Sequence, residues 1–441
     1  MIKKTIIQLK SLDIIFLGII CFFLFAILAG PSMINLFIFF LLVYLIYNIK
    51  KNLIKIDKNE LIIFVFPLIF WIYIVLSSLF MGNFSIGFEK SFFYIRFIIL
   101  SFIIYKILIT KELLLKYFSI IFSSFSIFLS IDILFQYFSG QDLFGYKAGL
   151  CVYDMGRYDP ELCERFSGFF GEEYIAGSYL STFGIFFIFI LKNYLNKKIY
   201  SIFFFIVSLS LIILATIITG ERSALLNLIL IFTFNLIFNF KIRKYLLYIA
   251  IIFVFLSAFA INNFDHVKHR YVDWPINYIK SQDGNFIQKL IQTPWGIHYV
   301  TAYEVFKDHY LLGSGFKSYR EVCKQQEYET NLIIRNYGIK KETKYTGCST
   351  HPHNIYFELL SETGLFGLIL FIISKYYLIF HEVIKKRQNI FKNPYLIFSL
   401  SAVCSILFPF KPTGSLSSTV FAGNLWFLIG IFLFFVKKSK N

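Results

Sequence analysis

Charged residues are scarce in this sequence of 441 residues, at 16% against about 25% in soluble globular proteins. Hydrophobic residues make up 57% of the chain, and the mean hydropathy is +0.68. The shortage of charge excludes a soluble globular protein, and the high hydrophobicity excludes a disordered one. A multi-pass membrane protein fits instead, because a spanning helix uses about 20 apolar residues.

Twelve apolar runs have the length and composition of spanning helices. We therefore predict an all-α integral membrane protein of about 12 transmembrane helices. The predicted spans are 13–30, 33–49, 61–81, 91–109, 113–138, 173–194, 199–219, 223–240, 245–262, 354–380, 393–410 and 420–436. The runs lack the alternating polarity of an outer-membrane β-barrel. Lys3 and Lys4 precede the first run as in a signal peptide, but we expect a retained span because the second run follows almost at once.

Basic residues gather on alternate connections between these runs, and cytoplasmic loops of membrane proteins collect Lys and Arg. The twelve-span order then predicts that both termini are cytoplasmic. It also attributes the net charge of +17 to membrane topology rather than to nucleic-acid binding. The clusters are Lys3, Lys4 and Lys10; Lys50, Lys51, Lys55 and Lys58; Lys111 and Lys116; Lys192, Lys197 and Lys198; Lys241, Arg243 and Lys244; Lys385, Lys386, Arg387 and Lys392; and Lys437, Lys438 and Lys440.

The opposite, periplasmic side carries two long loops in this topology. A small one covers residues 139–172, and a large one, which we expect to be partly helical, covers 263–353 between spans nine and ten. The chain is thus divided into residues 1–262 with spans one to nine, the loop 263–353, and residues 354–441 with the last three spans.

Cysteine is rare, and four of its six copies lie in these two loops. Cys151 shares the smaller loop with Cys163, and Cys323 shares the larger loop with Cys348. Two local pairs on one side of the membrane predict two disulfides in an oxidising compartment. A zinc site is less favoured, because neither pair has the short CxxC spacing, and we predict no metal.

Histidine and arginine are concentrated on the predicted periplasmic side, where six of the seven histidines lie in the large loop. Arginine grips phosphate groups with two donors, which lysine cannot do. The distribution favours an anionic ligand there, with salt bridges to acidic loop residues as the alternative. Arg222 follows Gly220 and Glu221 in a tight turn between two spans, and charges at such boundaries are often functional. The alternative for Arg222 is an interface anchor paired with Glu221.

His353 ends the large loop and opens span ten, at the predicted outer membrane surface. A neutral imidazole can accept a proton from a hydroxyl near pH 7. This position suits chemistry on a lipid-anchored substrate whose reactive group lies at the interface. The alternative is a helix start capped by Asn354, next to a histidine without a role.

Two charged residues fall inside predicted spans, Arg96 in span four and Asp132 in span five. Unpaired charges within the membrane are costly. We therefore expect these two side chains to pair with each other.

The residues from His353 onward form a spaced pattern of His, Asn and Gly. His353-Asn354 is followed after nine residues by Gly364 and then by Gly367, and Thr413-Gly414 comes later. Together with the long late loop, this resembles the signature of bacterial O-antigen ligases, a superfamily that includes O-antigen polymerases. The resemblance covers about residues 165–420. It also includes Phe306-Lys307-Asp308 before Leu312-Gly313-Ser314-Gly315, and Gly220-Glu221-Arg222-Ser223-Ala224 between two spans.

The resemblance implies a membrane glycosyltransferase of the bacterial inner membrane with its active site facing the periplasm. Such enzymes move a glycan from polyprenyl diphosphate to lipid A-core or another glycan acceptor, without a cofactor. His353 would take the proton of the acceptor hydroxyl. Arg222, and after it Arg165 and Arg270, would bind the diphosphate leaving group. Asn354, Gly364 and Gly367 would be structural motif residues.

Two alternatives stay open after the resemblance. An O-antigen polymerase would use the same donor chemistry to extend the lipid-linked glycan. A polysaccharide transporter or flippase is less favoured, because transporters usually show internal repeats and midplane charges. In each case we expect membrane lipids as surroundings and no nucleic acid as a partner.

Overall fold

The computed structural model describes residues 11–80, 84–149, 165–195, 199–343, 345–385 and 393–439. In chain order its main helices are α1 (Ser11–Ala29), α2 (Pro31–Lys50), α3 (Val65–Phe80), α4 (Gly87–Thr110), α5 (Leu113–Ser139), α6 (Ala176–Tyr194), α7 (Ile199–Ile218), α8 (Arg222–Phe238), α9 (Arg243–Asn263), α10 (Trp274–Ser281), α11 (Phe286–Ile291), α12 (Pro294–Asp308), α13 (Thr330–Asn336), α14 (Ile355–His381), α15 (Pro394–Ile406) and α16 (Thr419–Lys438).

Nine helices of the described chain are long and apolar enough to cross a membrane, and three apolar helices, α3, α8 and α15, are shorter. The all-helical fold is confirmed for these residues, and the nine helices are candidate membrane spans. Helices satisfy their own backbone hydrogen bonds, which lipid cannot do. The count of twelve spans stays a prediction, since three of the apolar helices fall below the usual spanning length.

Aromatic rings fill the centre of the helix bundle. The Phe427 ring of α16 lies 4.8 Å from that of Phe23 and 5.6 Å from that of Phe122. Phe122 in turn stacks on Phe187 at 4.3 Å. Helix α16 is therefore a central element, with α4 packed along it, and it provides a rigid support for the segments beside its first residues.

Helix α14 is not the straight span expected from the sequence, because it breaks at Gly364, where φ is 64° and ψ is −169°. The Tyr356 and Phe371 rings lie 6.3 Å apart, although 15 residues of straight helix would separate their Cα atoms by about 22 Å. Residues 355–363 therefore fold back along the helix that follows. We call residues 355–363 the returning half-helix.

Residues 407–418 connect α15 to α16. They begin beside the middle of α16 rather than beside its first residue. The Asn393 side chain, which caps α15, donates to the Ser439 hydroxyl at 3.1 Å, so α15 begins beside the end of α16. With 13 and 20 residues, the two helices differ in length by about 10 Å. Residues 407–418 must cover that distance to reach Thr419.

The region after α9 is partly helical, as expected. Its helices α12 and α13 enclose a small core of their own, built from Ala302, Val305, Tyr319, Tyr328 and Ile333. A disulfide joins Cys323 to Cys348, with Cα atoms 5.1 Å apart, and it ties this core to the chain that leads to α14.

The other four cysteines divide in two. Cys21 and Cys404 are free thiols. Cys151 and Cys163 lie outside the described residues, so their disulfide stays a prediction.

The expected pair of charges inside the bundle does not form. Arg96 donates to the Phe93 carbonyl at 2.6 Å and to the Thr419 hydroxyl at 3.4 Å. Asp132 accepts from the backbone N–H groups of Leu143 and Phe169 at 2.9 and 2.8 Å. Each charge finds nearer polar partners at the end of its own helix, and the prediction that they pair is wrong.

Candidate functional site

His353 lies at the point where the loop after α13 enters the returning half-helix. Its φ is +55°, a conformation that residues other than glycine seldom adopt. The backbone around it is held from both sides, since its carbonyl accepts from Thr413 N–H at 2.7 Å and the Thr413 hydroxyl accepts from Ile355 N–H at 3.0 Å. Such over-determined strain is frequent at functional sites.

Asn354 fixes this junction with both ends of its side chain. Its carbonyl oxygen accepts from Tyr356 N–H at 2.9 Å, which caps the returning half-helix. Its amide nitrogen donates to the carbonyls of Pro409 and Lys411 at 2.7 and 3.2 Å. His353 therefore lies against the 407–418 segment.

Three aromatic side chains surround the His353 ring. The ring centroid of His351 is 4.2 Å away, and those of Trp295 and His298 are each 5.0 Å away. Trp295 and His298 project from α12, and the His298 Nδ1 lies 2.9 Å from the Gly347 carbonyl. We call Trp295, His298, His351 and His353 the histidine cluster.

The histidine cluster is neutral near pH 7. Burial, and then the proximity of His298, lower the pKa of His353 to about 4. Burial, with His353, Lys317 and His298 nearby, lowers the pKa of His351 to about 3. Neutral imidazoles can accept protons or hydrogen bonds. Among the described residues, no group of three or more His, Cys, Asp or Glu side chains is arranged to hold a metal ion.

Two buried carboxylates on the returning half-helix hold the segments on either side of it. Glu358 accepts from the Ser415 hydroxyl and, at 2.8 Å, from Leu416 N–H. Glu362 accepts from Lys317 N–H at 2.7 Å and from Tyr319 N–H at 3.3 Å. One turn of helix separates the two glutamates, so a single helix face anchors both the 407–418 segment and the segment after α12.

Steric contacts explain why glycine occupies positions 364 and 367 of the motif. A Cβ on Gly364 would lie 2.5 Å from the Gly313 nitrogen and would overlap the Leu311 carbonyl oxygen. A Cβ on Gly367 would overlap the Thr363 side chain and come within 2.9 Å of the Tyr73 ring. The reversal at residue 364 thus requires glycine, both for its backbone conformation and for the close approach of neighbouring chain.

The three arginines chosen from the sequence lie together around the turn between α7 and α8. Arg222 Nε donates to the Arg270 carbonyl at 3.1 Å, and Arg270 Nε donates to the Gly220 carbonyl at 3.2 Å. Arg165, Arg222 and Arg270 all lie within electrostatic range of the Tyr271 hydroxyl. The Arg222 guanidinium also stacks on the Trp274 ring, 4.2 Å from its centroid. We call Arg165, Arg222 and Arg270 the arginine cluster.

Glu221 does not serve as the partner of Arg222. Its carboxylate accepts from Gly177 N–H at 2.7 Å and from both the N–H and the hydroxyl of Ser178. These bonds cap the first turn of α6 with a negative charge, a favourable position for one. The carboxylate also lies within electrostatic range of Arg165, so Glu221 acts on the arginine cluster through Arg165.

Lys411 connects the two clusters. Its carbonyl accepts from Asn354, next to His353, while its amine donates to the Asn227 side chain on α8. The same amine is attracted by Glu221. The histidine and arginine clusters are therefore connected through one buried lysine.

Sequence reasoning missed Lys411, Trp295 and Lys317. Lys317 has φ of +66°, and its amine lies 3.4 Å from the Ser415 hydroxyl. A lysine that ends an apolar run and is followed by the Pro412-Thr413-Gly414 turn could have marked the first of the three. The other two carry no local signal, because only the folded loop brings them to His353.

The chain matches the O-antigen ligase family model over residues 207–372. None of the curated proteins matches it. The matched segment contains Arg222, Arg270, the returning half-helix and the whole histidine cluster. Over these residues the chain is therefore similar to O-antigen ligases.

Proposed function

We propose that this protein is an O-antigen ligase-like glycosyltransferase. It moves a glycan from polyprenyl diphosphate to lipid A-core at the periplasmic face of the bacterial inner membrane. The family match supports the class of reaction. The Cys323–Cys348 disulfide favours an oxidising compartment for the loop side.

In this proposal the acceptor hydroxyl attacks the anomeric carbon of the donor glycan. The bond from that carbon to the diphosphate oxygen breaks, and its electron pair leaves with the polyprenyl diphosphate. His353 takes the hydroxyl proton as the new glycosidic bond forms. The arginine cluster stabilises the charge on the departing diphosphate, where preorganised donors in a partly dry site are effective.

One observation carries the proposal: a neutral histidine with a strained backbone lies near the arginine cluster, with Lys411 between them. A proton acceptor and an anion site are the two components that transfer from a diphosphate donor requires. The bond to be broken is already activated by the diphosphate, so the site needs neither a nucleotide nor a cofactor.

The test is deletion of the gene, followed by complementation with His353→Ala. We expect the deletion strain to accumulate long glycan on the polyprenyl carrier and to lack it on lipid A-core, as seen on a lipopolysaccharide gel. His353→Ala should accumulate in the membrane normally but transfer about 10²–10⁴-fold less glycan. His269→Ala, which changes an exposed histidine of the same loop, should complement fully.

Two results would change the proposal. Lipid A-core capped by a single repeat unit in the deletion strain would assign the protein as a polymerase that extends the lipid-linked glycan. Full complementation by His353→Ala would remove this residue from the reaction altogether.

A further inference from the structure

Lys411 is a buried lysine that bonds to a neutral partner. Its side chain belongs to a residue that is 5% exposed. It bonds to the neutral amide oxygen of Asn227 and forms no ion pair among the described residues. Burying an ammonium group away from water costs several kcal/mol unless a counter-charge compensates it. Burial lowers the pKa of the Lys411 amine to about 7, so the amine is only partly charged near pH 7, and a bound anion would stabilise its protonated form.

Glu221 provides part of that compensation, because its charge acts on both Lys411 and Arg165. Glu221 attracts Lys411, but its two oxygens already accept three hydrogen bonds from Gly177 and Ser178. One carboxylate charge thus acts on two basic side chains, and a bound anion would add a second negative charge beside Lys411.

The position of Lys411 along the reaction path is fixed by its backbone. Its carbonyl accepts from Asn354, the residue after His353, and its amine reaches Asn227 on α8, the helix that Arg222 begins. A diphosphate held by the arginine cluster, with its sugar toward His353, would pass the Lys411 amine at the phosphate nearer the sugar.

We propose that Lys411 is a fourth anion-binding residue of the site, which contacts the phosphate group adjacent to the bond that breaks, and that Asn227 holds its amine in place. This inference rests on the proposed function, because the anion it names is the diphosphate of the donor. It assigns separate roles to these residues: the arginines bind the diphosphate, and Lys411 binds the phosphate group next to the sugar.

The experiment measures binding of polyprenyl diphosphate and polyprenyl monophosphate to the full-length protein purified in detergent. Lys411→Met, which keeps the length of the side chain and removes its charge, should weaken diphosphate binding about 10- to 100-fold, as expected for one hydrogen bond to a charged group. Lys411→Arg should restore part of the affinity. Wild-type affinity in Lys411→Met would overturn the proposal.

A matched control is the same substitution at Lys375. That residue is 6% exposed, and its amine lies 3.7 Å from the centroid of the Trp426 ring in α16, apart from both clusters. Lys375→Met removes an equally buried charge and should leave diphosphate affinity unchanged. An equal loss in both variants would mean that any buried cation of the bundle matters, which would also overturn the specific role of Lys411.

A second variant guards against poor folding of Lys411→Met. Asn227→Asp has the same shape and places a carboxylate against the Lys411 amine, so it should weaken diphosphate binding by neutralising that amine from within. Unchanged affinity in this variant would contradict the proposal as well. Failure of the proposed function gives a different result, because the wild-type protein itself would then not bind polyprenyl diphosphate more tightly than the monophosphate.

Discussion

Replacing Gly364 by alanine should disconnect the returning half-helix from the chain that holds it. The backbone there has φ of 64° and ψ of −169°, a region that is essentially limited to glycine, and its strain costs other residues about 1–3 kcal/mol. The new Cβ would also collide with the Leu311 carbonyl and the Gly313 nitrogen. Both of these atoms belong to backbone, so neither can rotate away as a side chain would.

The collision is relieved only if residues 310–313 separate from residues 364–366. Leu365 N–H donates to the Tyr310 carbonyl at 2.8 Å and Phe366 N–H to the Leu311 carbonyl at 3.2 Å, and each such bond contributes about 1 kcal/mol. Strain and lost bonds together destabilise the local structure by roughly 3–5 kcal/mol. We expect glycan transfer to fall below a tenth of the wild-type rate, because His353 is positioned by the same half-helix.

The fold-back can be measured directly by cross-linking. Tyr356→Cys and Phe371→Cys, in a protein whose free Cys21 and Cys404 are changed to serine, should be joined by a short thiol-specific cross-linker. In a straight helix their Cα atoms would be about 22 Å apart and would not be joined. Adding Gly364→Ala should reduce the cross-link, whereas Gly18→Ala in α1, where a Cβ meets nothing within 4 Å, should not. An unchanged cross-link and unchanged transfer in the Gly364→Ala protein would refute this account.

Three further predictions concern the chemistry. Arg222→Lys should lower transfer at least tenfold, because lysine loses both the bidentate grip on phosphate and the stacking on Trp274; equal activity in a transfer assay would make the residue an anchor. Transfer should persist as the pH falls through 6.5 and be lost towards pH 4, because His353 has a pKa of about 4 and accepts no proton once it is protonated. His298→Gln should move this acid limb of the kcat/KM profile to higher pH. Non-reducing mass spectrometry should find two disulfides and two free thiols, and alkylation of all six cysteines without reduction would contradict that. The expected pairs are Cys151–Cys163 and Cys323–Cys348, with Cys21 and Cys404 free.

Hydropathy predicts the membrane helices well because each one is a local property of the chain. The run 199–219 became α7 (Ile199–Ile218), and 245–262 became α9 (Arg243–Asn263). The predicted span 393–410 is too long at its C-terminal end, because α15 ends at Ile406. Residues 407–410 are apolar enough to continue a helix, but Pro409 ends it and their carbonyls serve as acceptors for Tyr356 and Asn354 instead.

The reversal at Gly364 was beyond sequence reasoning, because a glycine inside an apolar run is compatible with a continuous helix. What breaks the helix is the segment at residues 310–315, about 50 positions earlier in the chain, which occupies the space a straight helix would need. Lys411 was missed for a different reason. Lysine is the common cation of this chain, so one more copy near a span end carried no signal until its burial was known.

The His353-Asn354 to Gly367 pattern is a single geometric unit in this fold. Gly364 and Gly367 allow the half-helix to turn back, Asn354 caps its start, and the turn brings His353 to the 407–418 segment that contains Lys411. A straight span would leave the same histidine level with the helix ends, apart from the arginine cluster. The nine residues of helix between Asn354 and Gly364 cover about 13 Å. The spacing of the motif therefore sets how far His353 lies from the reversal at Gly364, and this distance is similar to the one that residues 407–418 cover. A variant that lengthens or shortens this half-helix by one turn should keep all four motif residues and still lose transfer, since the histidine would no longer meet Lys411 and the diphosphate.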